Sequence, residues 1–342
     1  VFLINVPLMI LLLALGPVLL PEFRDPNAGR LDVISAVLSL LAVLAIIYGM
    51  KKIAAGGHLL SPALIIAAGF AIGAVFVQRQ KRLANPLVDL SLLRSYVFGS
   101  ALTVNMLGFF VAFGTFLFIA QYLQLVLGLS PLVAGLWTAP SGLAFIIGSQ
   151  LAPALAGRMR PAYVIAGGFT LAAIGFAVLM QIDGPYALAF CVLGYVILSL
   201  GLAPVFTLST DLIIGTAPPE RAGSASGLSE TSSELGGALG IAVLGSLVTA
   251  IYRSMMASQP PGVPPAAAQV ARDTLGGAVT IAADLPAQSG TALLAAARDA
   301  FTEAVVLAVA VNAVLAIAAA VVTLTLLRKA GAVQPSVAET SA

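Results

Sequence analysis

The sequence predicts an all-α polytopic membrane protein with nine transmembrane helices, and three observations carry that prediction. Sixty per cent of the residues are apolar and 9% charged, against about 45–50% and about 25% in soluble domains. The mean hydropathy is +1.07. The apolar residues are gathered in runs of roughly 18 or more, the length that crosses a bilayer core. Between the runs stand short charged or Gly/Pro-containing breaks, and nearly all Lys and Arg residues fall there.

In chain order, the first expected span is 1–20, ended by PEFRDPNAGR. The second is 33–50, ended by Lys51 and Lys52, and the third is 60–77, stopped by QRQKR. An amphipathic connector, LANPLVDLSLLRS, leads to a fourth span over 96–123. The fifth covers 132–156 and ends at GRMR; the sixth covers 162–182. A tight turn at Asp183, Gly184 and Pro185 leads straight into the seventh, 186–214. The eighth is 223–252 and the ninth 300–327, closed by Arg328 and Lys329. The one long loop, 254–298, opens Pro-rich and continues with Ala-rich periodic stretches at 266–275 and 291–301, which predict two short surface helices.

Orientation follows from counting cations in alternate loops. One set holds Arg24, Arg30, Arg79, Lys81, Arg82, Arg94, Arg158, Arg160, Arg221, Arg328 and Lys329, and the other Lys51, Lys52, Arg253, Arg272 and Arg298. Eleven against five places the first set, and the C-terminus, in the cytoplasm, with Val1 outside. The run at 1–20 lacks the basic leader and cleavage pattern of a signal peptide. It reads as the continuation of a longer chain.

Composition also excludes functions. Cys191 is the sole cysteine, so neither an internal disulfide nor a Cys-based metal site is available. His58 is the sole histidine and sits beside Gly56 and Gly57, where a solvated loop role is expected. No phosphate-binding loop and no nucleophile–histidine–acid set can be assembled. An enzyme and an ATP-driven pump are therefore not expected. The net charge of +2 is scattered through short loops and implies no nucleic-acid partner.

The eighth span carries the chemistry. Glu230 and Glu234 are four residues apart, hence one turn apart on one helical face. Ser226, Ser233 and Gly237 fall near that face, with Leu228, Leu235 and Leu239 opposite. Gly236, Gly240 and Gly245 would let a neighbouring helix approach closely. Two readings stay open. Ionisable groups at membrane depth are by default functional. Alternatively, Thr231-Ser-Ser-Glu234 matches the capping-box pattern, Gly227-Leu-Ser-Glu230 places another glutamate at the same register, and a helix starting near Ser229 would keep both carboxylates at the interface.

Four stretches resemble, in order, the fourteen-helix drug:proton antiporters of the major facilitator superfamily. FLINVPL (2–8) is similar to the start of that family's sixth helix, and NPLVDLSLLR (85–94) to the connector before its second half. YLQLVLGLSPLVAGLWTAP (122–140) resembles the hairpin between its ninth and tenth helices. APPERAGSASGL (217–228) followed by LGGALGIAVLGSL (235–247) resembles the entry to and body of its thirteenth. The nearest flavour is the branch exporting quaternary ammonium compounds and methyl viologen.

The resemblance implies helices six to fourteen of that fold. Residues 1–20 would be the last helix of the N-terminal half, 21–95 an inserted helix pair with the cytoplasmic connector, 96–329 the C-terminal six-helix half with outer loop 254–298, and 330–342 a cytoplasmic tail. It also implies a multi-pass protein of the cytoplasmic membrane, exporting lipophilic, cationic small molecules in exchange for protons. The proton motive force would be the energy source and no cofactor would be needed. An antiporter of another small substrate, and a truncated remnant without transport, are the alternatives. Glu230 and Glu234 would exchange protons for substrate. Asn105, Phe113, Trp137 and Asp211 are the candidates for the cavity lining. Asn105 is chosen because a mid-membrane amide needs a partner, and Phe113, with Phe109, Phe110, Phe116 and Phe118, because aromatic faces attract lipophilic cations. Lipid-facing phenylalanines, an interfacial Trp137 and a capping Asp211 are the plainer readings of the same residues. Glu303 is expected at the outer interface.

Overall fold

Why this chain folds into helices is visible at the hairpin between its fourth and fifth spans. Gly128 takes a φ of +69°, a conformation that favours glycine. Ser130 then caps the next helix, accepting from the Val133 amide at 3.4 Å, and Pro131 occupies its first turn, where a missing N–H costs nothing. The DGP turn works similarly, with Gly184 at φ +118° and the buried Tyr122 hydroxyl donating to the Ile182 carbonyl at 2.6 Å.

A computed structural model describes residues 5–19, 32–54, 60–83, 86–88, 90–257 and 263–329. Eleven α-helices occur among them: α1 (Asn5–Leu19), α2 (Val33–Ala54), α3 (Leu60–Gln80), α4 (Tyr96–Gln121), α5 (Pro131–Ala156), α6 (Pro161–Leu179), α7 (Ala187–Gly215), α8 (Ala222–Met255), α9 (Pro265–Asp273), α10 (Leu275–Asp284) and α11 (Ala287–Leu326). A π-turn, Tyr122–Val126, extends α4. Eight of the helices, α2 to α8 and α11, are long and apolar enough to cross a membrane. The expected first span lies partly outside the described residues, as do His58 and the tail from 330 onward.

Six helices, α4 to α8 and α11, pack into one bundle in which α6 lies on α7 and α11, α4 on α7 and α8, and α5 on α7. Its seams are made of small residues. A Cβ at Gly201 would meet the Gly168 carbonyl at 2.6 Å, and one at Gly175 the Leu198 amide nitrogen at 2.6 Å. Helices in lipid gain no hydrophobic drive from one another, so close backbone approach supplies the attraction.

α2 and α3 form a separate hairpin that leans on α8. Its base is pinned by Asp32. Arg79 donates to both carboxylate oxygens, from Nε at 3.0 Å and a terminal nitrogen at 3.1 Å, and the Ser35 hydroxyl donates at 2.6 Å. Behind the pin, the buried Gln80 amide donates to Ser35 Oγ at 2.6 Å and accepts from the Val88 amide at 3.1 Å, tying hairpin to connector. The Arg79 guanidinium, and then the Ser35 hydroxyl, hold the Asp32 carboxyl well below the usual range, at about 2. Because this pKa is depressed, the pin is complete above about pH 4 and is lost as pH falls through about 2. Amide protection at the α2–α3 base, measured relative to the intrinsic exchange rate at each pH, should hold from pH 7 to pH 4 and fall towards pH 2. Asp32→Asn should remove that pH dependence; a midpoint near pH 4 would contradict the assignment.

The long loop departs from expectation. Its first surface helix is α9, but its second is α10, and 291–301 is not separate at all. It is the N-terminal part of α11, which runs unbroken for 40 residues, about 60 Å by helical rise. No proline interrupts that helix, so nothing ends it at the membrane surface. α9 is fastened by the Tyr252 hydroxyl, which donates to the Ala271 carbonyl at 2.8 Å, and by an Arg253–Asp273 ion pair at 3.1 Å. Arg298 donates to the Leu125 carbonyl at 3.0 Å, satisfying an acceptor in the π-turn.

Candidate functional site

α8 begins at Ala222, after a short 3₁₀ turn at Pro219–Arg221, with no side-chain cap at its start. Glu230 and Glu234 therefore lie two and three turns inside the helix, about 12 and 18 Å from its first residue. The capping-box reading fails on this geometry. Thr231, which should have capped, instead donates to the Gly227 carbonyl within the helix at 2.7 Å.

The two carboxylates are exposed, together with Ser226, Gly227 and Thr231. The opposite face, Ser229, Ser232, Ser233, Gly236, Gly237 and Gly240, is buried. Ser226 thus keeps company with the glutamates, whereas Ser233 and Gly237 do not. Each stands three residues past a glutamate, 60° round the helix, and close packing takes these small residues into the seam. A Cβ at Gly236 or Gly240 would collide with the carbonyl of Met106 or Phe110 on α4. Gly245, expected to serve the same purpose, has no atom near the position of a Cβ.

Asn105 is fully buried where α4, α7 and α8 meet. Its amide nitrogen donates to Ser233 Oγ at 2.8 Å, and its carbonyl oxygen accepts from Ser209 Oγ at 3.0 Å. Ser232 adds a bond to the Leu102 carbonyl at 2.9 Å. The expected partner exists, but Asn105 joins three helices instead of lining an open cavity. The same device recurs on the other side of α4, where the buried Asn312 of α11 donates to Thr115 Oγ1 at 2.8 Å.

Phe113 borders a concavity. A concavity of about 290 Å³ is walled by Phe113 and Phe116 of α4, Phe145 of α5, and Tyr195, Ser199 and Phe206 of α7, among others. Phe109 meets Phe206 in a tilted contact with centroids 4.4 Å apart, and Phe145 lies 6.1 Å from the same ring. Phe113 also covers α8: its ring would stand 3.2 Å from a Cβ at Gly237, one turn beyond Glu234. Phe113 thus links the cavity wall to α8 at Gly237, three residues past Glu234 and seven past Glu230, and neither carboxylate is among the residues walling the cavity. Sequence reasoning missed Phe145, Tyr195 and Phe206. Tyr195 and Phe206 are eleven residues apart, three turns along one face, which was the available signal.

Trp137 is half exposed on α5 and is not among the residues walling this cavity. Asp211 is exposed two residues beyond Ser209, in the last two turns of α7. Glu303 is exposed and borders a concavity of about 490 Å³ with Asp183, Asp299 and Thr302, at the end of the bundle where the DGP turn lies. The described residues contain no group of three His, Cys, Asp or Glu side chains placed to hold a metal.

Membrane-length helices, joined through small residues and buried amides around a partly polar, partly aromatic interior, define a multi-pass all-α membrane protein. Residues 1–241 match the Major Facilitator Superfamily, and the chain belongs to that family. It is 39% identical over 322 residues to the multidrug efflux pump LfrA of Mycolicibacterium smegmatis, covering 94% of this chain and 64% of that protein. It is 31% identical over 338 residues to the tetracenomycin C resistance and export protein of Streptomyces glaucescens, covering 95% and 62%. It is also 31% identical over 305 residues to the methyl viologen resistance protein SmvA of Salmonella typhimurium, covering 88% and 61%. The chain thus spans less than two thirds of the length of these curated relatives. In fold it is similar to a bacterial homologue of the human lysosomal transporter Spinster. The inward-facing structures of that protein, unoccupied and occupied, give TM-scores of 0.52 and 0.54 at 17% and 18% identity. Each match covers 78% of this chain, and 60% and 57% of those chains.

Proposed function

We propose that this chain is the larger part of a fourteen-helix exporter that expels lipophilic, cationic small molecules across the cytoplasmic membrane in exchange for protons. The observation that carries the reading is the exposed stripe of Ser226, Glu230, Thr231 and Glu234 on a 34-residue helix, facing away from the seam with α4. Carboxylates against hydrocarbon are expensive, so that face belongs against water or another part of a transporter. The neighbouring aromatic cavity supplies faces for a lipophilic cation. A cation arriving there would favour the ionised carboxylate and release its proton, and a returning proton would release the cation. The names of the relatives, a multidrug pump and a methyl viologen resistance protein among them, support export.

On this reading the six-helix bundle is the C-terminal half, α2 and α3 the inserted pair, and α1 the last helix of the N-terminal half. Substrate would bind between the halves, near the midplane, and be passed on by alternating access. The test is resistance. The full-length parent should protect a sensitive strain against ethidium, whereas residues 1–342 alone, offering one wall of the cavity, should not. Ethidium efflux by the short chain would overturn the partial-transporter reading. A second reading, export of non-cationic compounds on the same scaffold, draws on the tetracenomycin C relative. Protection confined to such compounds would favour it.

The proposed orientation is tested by labelling. With Cys191 replaced, an impermeant thiol reagent should modify Ser258→Cys from outside and leave Ser336→Cys untouched. Both positions lie outside the described residues. Labelling of both would reject the orientation.

A further inference from the structure

The α2–α3 hairpin carries a groove that the transport reading does not use. It encloses about 340 Å³ and is lined by Ile34 and Leu38 of α2 and by Val75, Gln78, Arg79, Arg82 and Leu83 at the end of α3. Ile34 and Leu38 share a face at i, i+4, and Val75, Gln78 and Arg79 share one at i, i+3, i+4, with Arg82 in the turn that follows α3. The groove is divided along its length. Its rim is two guanidinium groups and an amide; its floor is aliphatic, with Ile34 and Val75 more than half exposed.

The rim is built, not incidental. Asp32 takes two of the five Arg79 donors and so fixes the plane of the guanidinium, and among the described residues nothing takes the others. Arg79 keeps 34% of its side-chain surface exposed. The buried Ser35–Gln80 pair holds Asp32 from behind. Among the described residues no carboxylate pairs with Arg82, so the rim keeps a net positive charge.

We propose that this groove binds an anionic phospholipid, its phosphate on Arg79 and Arg82 and an acyl chain along Ile34, Leu38 and Val75. Charge chooses the ligand. A planar guanidinium with donors that no described residue takes suits a phosphate, and a second cation a turn away demands an anion. The floor chooses the source. Apolar side chains just inside the end of a membrane-length helix meet acyl chains where the rim meets headgroups, which a free phosphate cannot exploit. Arg79 thereby has two tasks: it pins the hairpin through Asp32, and it offers its remaining edge to the lipid.

Native mass spectrometry of the full-length protein with phosphatidylglycerol or phosphatidylcholine tests the proposal. Phosphatidylglycerol should be retained in preference. Arg82→Gln, which leaves the Asp32 pin intact, should weaken that retention about tenfold, the loss of one charge-assisted contact. Lys81→Gln removes the same charge from an exposed neighbour that does not line the groove, and should leave retention within about twofold. Leu38→Asn should weaken phosphatidylglycerol binding as well, since the floor contributes. Equal losses in Arg82→Gln and Lys81→Gln would show diffuse surface charge and overturn the site. No preference for phosphatidylglycerol, or its displacement by millimolar inorganic phosphate, would overturn it too.

Discussion

Glu234→Gln is expected to abolish substrate-driven proton movement in the full-length parent while leaving an inserted, folded protein. The substitution keeps shape and hydrogen-bonding capacity and removes only the ability to titrate. Its side chain is exposed on α8, away from the packed seam, so no buried contact is lost. Because α8 starts at Ala222, neither glutamate serves the helix start, and a loss of function could not be ascribed to a lost cap. The measurement is dissipation of an imposed pH gradient in proteoliposomes on adding a cationic substrate. A drop of at least an order of magnitude is expected for Glu234→Gln, and little change for Glu303→Gln at the far end of the bundle. Glu230 lies a further turn towards the start of α8, so Glu230→Gln should reduce the flux without abolishing it. Undiminished flux in Glu234→Gln would remove the coupling role and leave the stripe as a contact surface.

Gly240→Leu should cost more stability than any of the polar substitutions. Its side chain would run into the Phe110 carbonyl, and backbone cannot rotate out of the way as a side chain can. Overpacking commonly costs about 1–3 kcal/mol, and about 3 kcal/mol or more is expected where the obstacle is main chain. The effect should appear as a lower melting temperature in detergent and a poorer yield of monodisperse protein. Gly245→Leu, five residues along the same helix, is the internal control. Open space surrounds that position, so the melting temperature should barely change. Equal losses at the two positions would mean that α8 does not meet α4 through this seam.

The contrast between these glycines marks where one-dimensional information ends. Spacing gives each residue an angle on its helix, but not the direction from which a neighbour arrives. Gly236, Gly240 and Gly245 all read as small residues on a membrane helix, and only contact with Met106 and Phe110 separates two of them from the third. Ser233 shows the same limit. Its angle lies near that of the glutamates, yet Asn105 approaches from the other side and draws it into the seam. The capping pattern at Thr231 was legible but spurious, because a helix start depends on what precedes it. Here the turn at Pro219–Arg221 begins α8 two turns early.

The sequence by itself determined the class of the molecule and the chain positions of its membrane-crossing helices. A long apolar run has one low-energy form in lipid, a helix with its backbone satisfied, and that requirement is local. The resemblance of four ordered segments determined the family. Tertiary structure alone decided which polar groups are spent on holding helices together and which remain outward. Asn105, Ser209, Ser232 and Ser233 are consumed in bonds between helices, as is the Asn312 amide nitrogen, because a buried amide or hydroxyl in an apolar bundle gains by finding a partner; Asn312 Oδ1 has none among the described residues. Glu230 and Glu234 are left facing out, because no described helix covers that side of α8.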